Sequence, residues 1–269
     1  MRQVLLLAIA SLPLAACRGV DPAPEDLDAL MHYLWERFEE GEDLEIHEGV
    51  VNLHDAVDGA TLEDAWDGAL TPLTPEQAAL VGVDDRDPAD APGFVLVHPI
   101  LCDLDHLDDI LAHPDQDELY TGVYDAYQRT WTSDWDAYAD GEVDILTWDL
   151  EYEASVLGSS YTGTAKGMLR RVRGIDEEVS PFGTVLLARA HMPVPVAFER
   201  GNKSMDQDYQ LEIYYDRADE EIVHTYGMWR EADFGSGFTS ESEVVQRLLL
   251  NGLEDWDHTT DDLCEDGVP

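Results

Sequence analysis

Lysine is nearly missing from this 269-residue chain: Lys166 and Lys203 are the only two. With arginine they make 15 basic side chains against 59 acidic ones, a formal net charge of -44. Nucleic acid is thereby excluded as a partner, because phosphate binding needs clustered Lys and Arg. An anionic bilayer repels such a body too, since electrostatic recruitment is worth about 1 kcal/mol per basic residue near the surface. The signatures of several common chemistries are also missing. There is no His-Glu-x-x-His pair, no P-loop and no dinucleotide fingerprint. The run from Leu157 to Tyr161, LGSSY, lacks the spacing of a nucleophile elbow. His98, His106 and His113 lie close together among several Asp, yet none has paired-ligand spacing, so a zinc site would need distant segments. Carboxylate pairs suited to glycoside hydrolysis arise by chance in so acidic a chain. No catalytic residue, cofactor or metal is assigned, and the reading is of a non-enzymatic protein; a hydrolase with an unrecognised site is the remaining enzymatic alternative.

What is present is enough for a packed core. Hydrophobic residues make up 44% of the chain, with seven Trp and eleven Tyr, which is too rich for a disordered acidic tail. One-sign surface charge keeps the body soluble and suits a saline habitat or cation binding.

The chain opens MRQVLLLAIASLPLAAC. Arg2 supplies a positive start, Val4 to Leu14 a short apolar run broken by Pro13, and Ala15 and Ala16 are small residues before Cys17. This is the layout of an export signal and is too short to span about 30 Å of hydrocarbon as an ordinary helix. Leu14-Ala15-Ala16-Cys17 resembles the lipobox of bacterial lipoprotein precursors. The resemblance implies diacylglycerol on the Cys17 sulfur, cleavage before it and acylation of the new amino terminus. Arg18, where an Asp is absent, points to the outer membrane. Lipid chains contribute about 0.8 kcal/mol per buried methylene, enough to hold a repelled body on a bilayer. The alternative is an ordinary secretory signal with an incidental cysteine. Residues 1–16 are thus read as a signal peptide and 17–25 as an acylated tether, reaching about 25 Å at most over its seven residues after Cys17.

With Cys17 taken by lipid, Cys102 and Cys264 form an even remainder, which predicts one disulfide in an oxidising compartment; two unpaired thiols are the alternative.

Residues 26–92 read as a helical region. Leu27, Leu30, Met31, Leu34, Trp35 and Phe38 follow helical spacing, with Gly41 as the stop. LEIHEGVVNLHDAV stays open between helix and non-helix because Gly49 weakens the pattern. Thr74-Pro75-Glu76-Gln77 is a capping box opening a short helix. The turn-rich GVDDRDPADAPG marks a boundary, and 93–269 form the main domain.

In that domain FVLVHPIL predicts a strand, DLDHLDDILAHP a helix, and Tyr120, Val123, Tyr124, Tyr127 and Trp131 a second helix. Leu146 to Val156 alternate as a long half-buried strand, turned by Gly158 into YTGTAKGMLRRV. VLLARAHMPVPVAF predicts a third strand, at an edge or bulged because of Pro193 and Pro195. YQLEIYY and EIVHTYGMW predict a hairpin, and a capping box at Ser240 to Glu243 opens a long closing helix through Trp256. The fold class is α+β: an antiparallel sheet packed against a long C-terminal helix, after an N-terminal helical region.

In element order and length, Phe94 to Trp256 resembles START-like helix-grip domains; a cystatin-like or other two-layer α+β sandwich stays open beside it. The START-like resemblance implies an apolar cavity between sheet and closing helix, taking a lipid or other hydrophobic small molecule. Trp148, Tyr152, Arg189, His191, His224 and Tyr226 are the candidates to face it, with Leu187, Leu211, Ile213 and Leu249 as apolar neighbours. Arg189 and His191 have the alternative of lying on the opposite face. A filled core, as in a structural or protein-interaction envelope lipoprotein, is the competing reading. Finally, Asp136, Asp140 and Asp144 fall near positions one, five and nine of a calcium loop, but the twelfth position is Thr147. A plain acidic turn explains the same letters.

Overall fold

The computed structural model describes residues 22–57, 66–156, 158–176, 178–199, 202–218 and 221–267. Cys17 and its neighbours lie outside them. Within them the chain is an α+β structure in three layers: a nine-stranded sheet with helices on both faces.

The first layer is α1 (Leu27–Arg37), α2 (Asp43–Ala56) and α3 (Pro75–Ala79). Asp26 caps α1, its carboxylate accepting from the Ala29 N–H at 3.1 Å. Thr74 and Gln77 cap α3 reciprocally. The segment left open at Gly49 is the 14-residue helix α2. A Cβ at Gly49 would sit 2.8 Å from Leu34 Cδ2, so glycine is what lets α2 lie directly on α1. The chain leading into α1 is tied to α2, where Asn52 Nδ2 donates to the carbonyls of Ala23 and Pro24 at 3.0 and 2.9 Å.

The strands are β1 (Trp66–Leu70), β2 (Gly93–Ile100), β3 (Ala126–Trp131), β4 (Ile145–Val156), β5 (Ser159–Val172), β6 (Val185–His191), β7 (Val196–Ala197), β8 (Ser204–Ala218) and β9 (Glu221–Asp233). They run in the order β1-β2-β9-β8-β6-β5-β4-β3, antiparallel at every pairing, with β7 beside β8. The sheet is closed off by α4 (Leu104–Leu111), α5 (Gln116–Leu119), α6 (Trp135–Ala139) and the 24-residue α7 (Glu243–Asp266). No described helix is long and apolar enough to cross a membrane.

Four details differ from the sequence reading. The segment 26–92 contains a strand, β1, which pairs with β2 across the 92/93 boundary. Residues 120–131 are not a helix: Gly122 turns the chain at φ 90°, and Tyr127, Arg129 and Trp131 pair as β3 with Tyr152, Leu150 and Trp148. Spacings of four place side chains on one face of a strand as well as of a helix, so Tyr127 and Trp131 fit both patterns. Pro193 and Pro195 follow β6, which ends at His191 and lies between β5 and β8 rather than at an edge. The closing helix starts from Ser242 as its N-cap, while the Ser240 hydroxyl accepts the Ala232 N–H at 2.8 Å.

Each strand presents alternate residues to two different layers. On the outer face Val95, Val97, Leu187, Leu211, Ile213, Tyr215 and Trp229 pack against Leu30, Met31, Leu34, Trp35 and Phe38 of the first layer. On the inner face Phe94, Leu96, Tyr226 and Met228 meet Leu249, Leu250 and Leu253 of α7. Cys102 and Cys264 are disulfide-bonded, tying the start of α4 to the last turns of α7.

Candidate functional site

The middle of the inner face is floored by small or polar side chains. Ala165 on β5, Ala188 and Ala190 on β6 and Gln210 on β8 are all partly exposed, although their strands are interior to the sheet. Their immediate neighbours Leu187, Leu211 and Ile213, pointing the other way, have no exposure at all. The inner face is therefore left open between the floor and the helices, where the outer face at Leu187, Leu211 and Ile213 is sealed.

Tyrosines ring that opening. Tyr124 lies 4.9 Å from Tyr127 and 5.9 Å from Tyr152, and Tyr152 lies 5.9 Å from Tyr161, ring centroid to centroid. Two glycines shape the wall. A Cβ at Gly163 would fall 2.5 Å from the Tyr152 ring and one at Gly167 only 2.1 Å from the Trp148 ring, so both aromatics lie across the neighbouring strand. Burial pushes the phenols of Tyr124, Tyr152, Tyr161 and Tyr226 above their ordinary value, and none has a side-chain hydrogen bond among the described residues. Tyr127 differs, since its hydroxyl accepts from Arg129 Nε at 2.8 Å, and the Arg129 guanidinium lies 4.3 Å from the Trp148 ring.

Two ion groups border the tyrosines. Arg230 grips Asp208 with two bonds, Nε to Oδ1 at 2.9 Å and Nη2 to Oδ2 at 3.0 Å, and Gln210 Nε2 donates to Asp208 Oδ2 at 2.7 Å. Burial opposes the Arg230 charge, but Asp208 outweighs it and holds the guanidinium protonated. The second group joins sheet to helix. His224 Nδ1 is 2.8 Å from Asp257 Oδ1 on α7, and His224 Nε2 is 3.4 Å from Glu212 Oε2, which also accepts the Tyr214 hydroxyl. His98 Nδ1 approaches Asp257 Oδ2 at 3.3 Å. Burial disfavours the His224 charge, yet Asp257 and Glu212 prevail and raise its pKa to about 9. His224 is therefore an imidazolium at neutral pH, stacked on Tyr214 with centroids 4.3 Å apart. With both nitrogens facing carboxylates it fastens α7 rather than acting as a base. Asp257 has no exposure; burial works against its charge, but His224 and then His98 prevail and its pKa is lowered.

No family model matches the chain, and no curated protein does. The solved structures it is similar to include START-type proteins. A START superfamily protein from Mycobacterium smegmatis is 8% identical over 65% of this chain and 99% of its own, with a TM-score of 0.40. Human STARD10 is 8% identical over 76% of this chain and 70% of its own, at 0.44. The lipid transfer and protein localization domain of human StarD13 is 8% identical over 78% and 95%, also at 0.44. What this chain does has to be read from its own residues.

Of the candidates named from sequence, Trp148, Tyr152, His224 and Tyr226 share the inner face with Leu249 of α7. Arg189 and His191 do not, and nor do Leu187, Leu211 and Ile213. On β6 the odd-numbered residues point outward, so Arg189 donates to the Trp35 carbonyl at 3.3 Å and pairs with Glu39 in the first layer. His191 lines a separate outer pocket of about 280 Å³ with Arg189 and Lys166. Burial first, then Arg189 and Lys166, lower its pKa to about 4, so it is neutral. The calcium-loop letters resolve into α6, a turn and β4. Asp144 accepts both Arg173 Nε and Nη2 at 2.9 and 2.8 Å, Asp140 ends α6, and Thr147 is within β4.

Sequence reasoning missed Tyr124, Tyr127, Tyr161, Glu212 and Asp257. One signal existed for Asp257: an acid four residues after Leu253 falls inside the apolar stripe of the closing helix, where only a partnered charge survives.

Proposed function

We propose that this chain is a lipid-anchored envelope protein, attached through Cys17, whose inner hollow holds an amphipathic small molecule. The observation that carries the ligand reading is the unsealed floor beneath unpartnered phenols. Ala165, Ala188 and Ala190 are partly exposed on central strands, while the hydroxyls of Tyr124, Tyr152, Tyr161 and Tyr226 bond to no described side chain. Aromatic faces and alanine methyls supply an apolar bed. None of these four hydroxyls is among the buried unpaired atoms of the described residues, so water reaches them, and a ligand hydroxyl, carbonyl or amide would take that water's place. Asp208 is matched by Arg230, while His224 is shared between Asp257 and Glu212 and leaves a carboxylate in excess, so a neutral polar head suits the site better than an anionic one.

Native mass spectrometry of the chain purified from its own source tests the ligand. An added organic mass that is lost from a Tyr152→Phe, Tyr226→Phe double variant is the expected result. A bare protein mass, together with no uptake of a fluorescent fatty alcohol or sterol probe, rejects the reading. For the anchor, Cys17→Ser is expected to abolish incorporation of labelled palmitate and to move the protein from the membrane to the soluble fraction.

A further inference from the structure

We propose that reduction of the Cys102–Cys264 disulfide uncovers a two-cysteine, one-histidine site for a thiophilic divalent metal ion such as zinc. A ring nitrogen of His106 and the two sulfurs lie within 4.8 Å of one another. Cys102 stands just ahead of α4 and His106 in its first turn, so Cys-x-x-x-His spacing brings two ligands to one helix start. Cys264 comes from the last turns of α7. Zinc bonds of about 2.3 Å to sulfur and 2.0–2.1 Å to nitrogen place tetrahedral ligand atoms roughly 3.3–3.8 Å apart. Two sulfurs released from any disulfide need only separate by a little under about 2 Å to reach that spacing, and the imidazole, within 4.8 Å of both, need only draw in by about 1 Å.

The two sulfurs stay near each other without their bond, because other contacts clamp the same junction. The Leu101 N–H donates to Asp261 Oδ1 at 2.6 Å. The Tyr120 and Thr260 hydroxyls lie 2.9 Å apart. Tyr120 stacks on Trp256 with centroids 4.7 Å apart, and Ile110 and Leu119 pack against Leu263 and Cys264. The ligand set is therefore held by its surroundings rather than by the disulfide alone. His106 also lines a pocket of about 280 Å³ with Asp108, Asp109, Trp135 and Tyr138, so the imidazole is reached from an open side. The acidic surroundings and the net charge of -44 draw cations to it. A dithiol or phosphine reductant supplies two electrons and is itself oxidised, the disulfide taking up two protons to become two thiols. Metal binding then releases those two protons as the thiolates form.

The test uses the full chain carrying Cys17→Ser, so that only two thiols can appear, and cobalt(II) as the probe. After reduction with a phosphine and anaerobic removal of the excess, one equivalent of cobalt is expected, with thiolate-to-cobalt absorption that zinc abolishes. The oxidised chain should show none. His106→Ala should weaken cobalt binding by more than about tenfold, the least that even outer-shell changes cost at metal sites. The proposal is overturned if the reduced chain shows no cobalt–sulfur absorption, if His106→Ala leaves affinity unchanged, or if tryptophan fluorescence shows that reduction alone unfolds the junction.

Discussion

The two faces of the sheet are built from the same strands and treated in opposite ways. Outward, Leu187, Leu211 and Ile213 vanish beneath Trp35 and its neighbours on α1; inward, Ala188, Ala190 and Gln210 remain partly open beneath tyrosines. Period-two alternation makes this division possible, since stability can be concentrated on one face while the other keeps space and unpaired polar atoms. The outer face holds the fold together. On the function proposed above, the inner face is where a ligand would be accommodated without unfolding the chain.

The sharpest way to break that contrast is on the outer side. Trp35 has no exposure, meets Trp229 and Tyr209 edge-on at 5.7 and 6.0 Å, and donates to the Gln77 carbonyl at 3.0 Å. Trp35→Ala should cost about 3–5 kcal/mol by urea denaturation. A loss under about 1 kcal/mol would mean that the first layer is not what stabilises the sheet.

On the inner face, comparable weight falls on the ion group under α7. Asp257→Ala removes the 2.8 Å partner of His224 Nδ1, leaves that nitrogen unpaired in the interior and should cost about 3 kcal/mol at neutral pH. The sign of its pH dependence follows from the shifts. His224 has a folded pKa of about 9, above its unfolded value, so its contribution is complete below about pH 6.5 and fades as pH rises through 9. Asp257 is lowered, so its contribution is present above the ordinary carboxylate range and is lost as pH falls below it. His224→Gln should remove the alkaline decline in a pH series of melting temperatures. Retention of that decline in the variant places its origin elsewhere.

Smaller effects sharpen the contrast on the inner wall. Gly167→Ala forces the Trp148 ring from its place and should cost about 1–3 kcal/mol, with a changed near-ultraviolet circular dichroism spectrum. Smallest of all is Tyr152→Phe, which removes an oxygen with no side-chain hydrogen bond among the described residues. Its stability should stay within about 0.5 kcal/mol of the parent while probe binding weakens. Equal losses of stability and binding would erase the distinction between the faces.

Much of the fold could be read from letters because local pattern and global structure agree there. Tyr152, Leu150 and Trp148 alternate with acids, and the turn at Gly158 sets the β4–β5 register that the structure adopts. The Cys102–Cys264 pairing followed from counting. Reading failed where one pattern serves two structures: Tyr127 and Trp131, four apart, suit a helix and a strand equally. It also failed where only long-range register decides a face. Arg189 and Tyr152 look alike as strand residues, and nothing local to β6 reveals that its odd positions meet Glu39 and Trp35, 150 and 154 residues earlier. The open floor itself is a product of small residues spread over β5 and β6, which no single segment announces.

The tie between Asn52 and the carbonyls of Ala23 and Pro24 bears on how the body would stand at its proposed attachment, because it fixes the point where the chain departs from the helical layer that roofs the outer face. Between Cys17 and Ala23 lie only Arg18, Gly19, Val20, Asp21 and Pro22, a leash of about 20 Å at full stretch. An acylated terminus would thus turn the outer roof toward the lipid and put the inner face of the sheet, with α7 over it, on the side away from the leaflet.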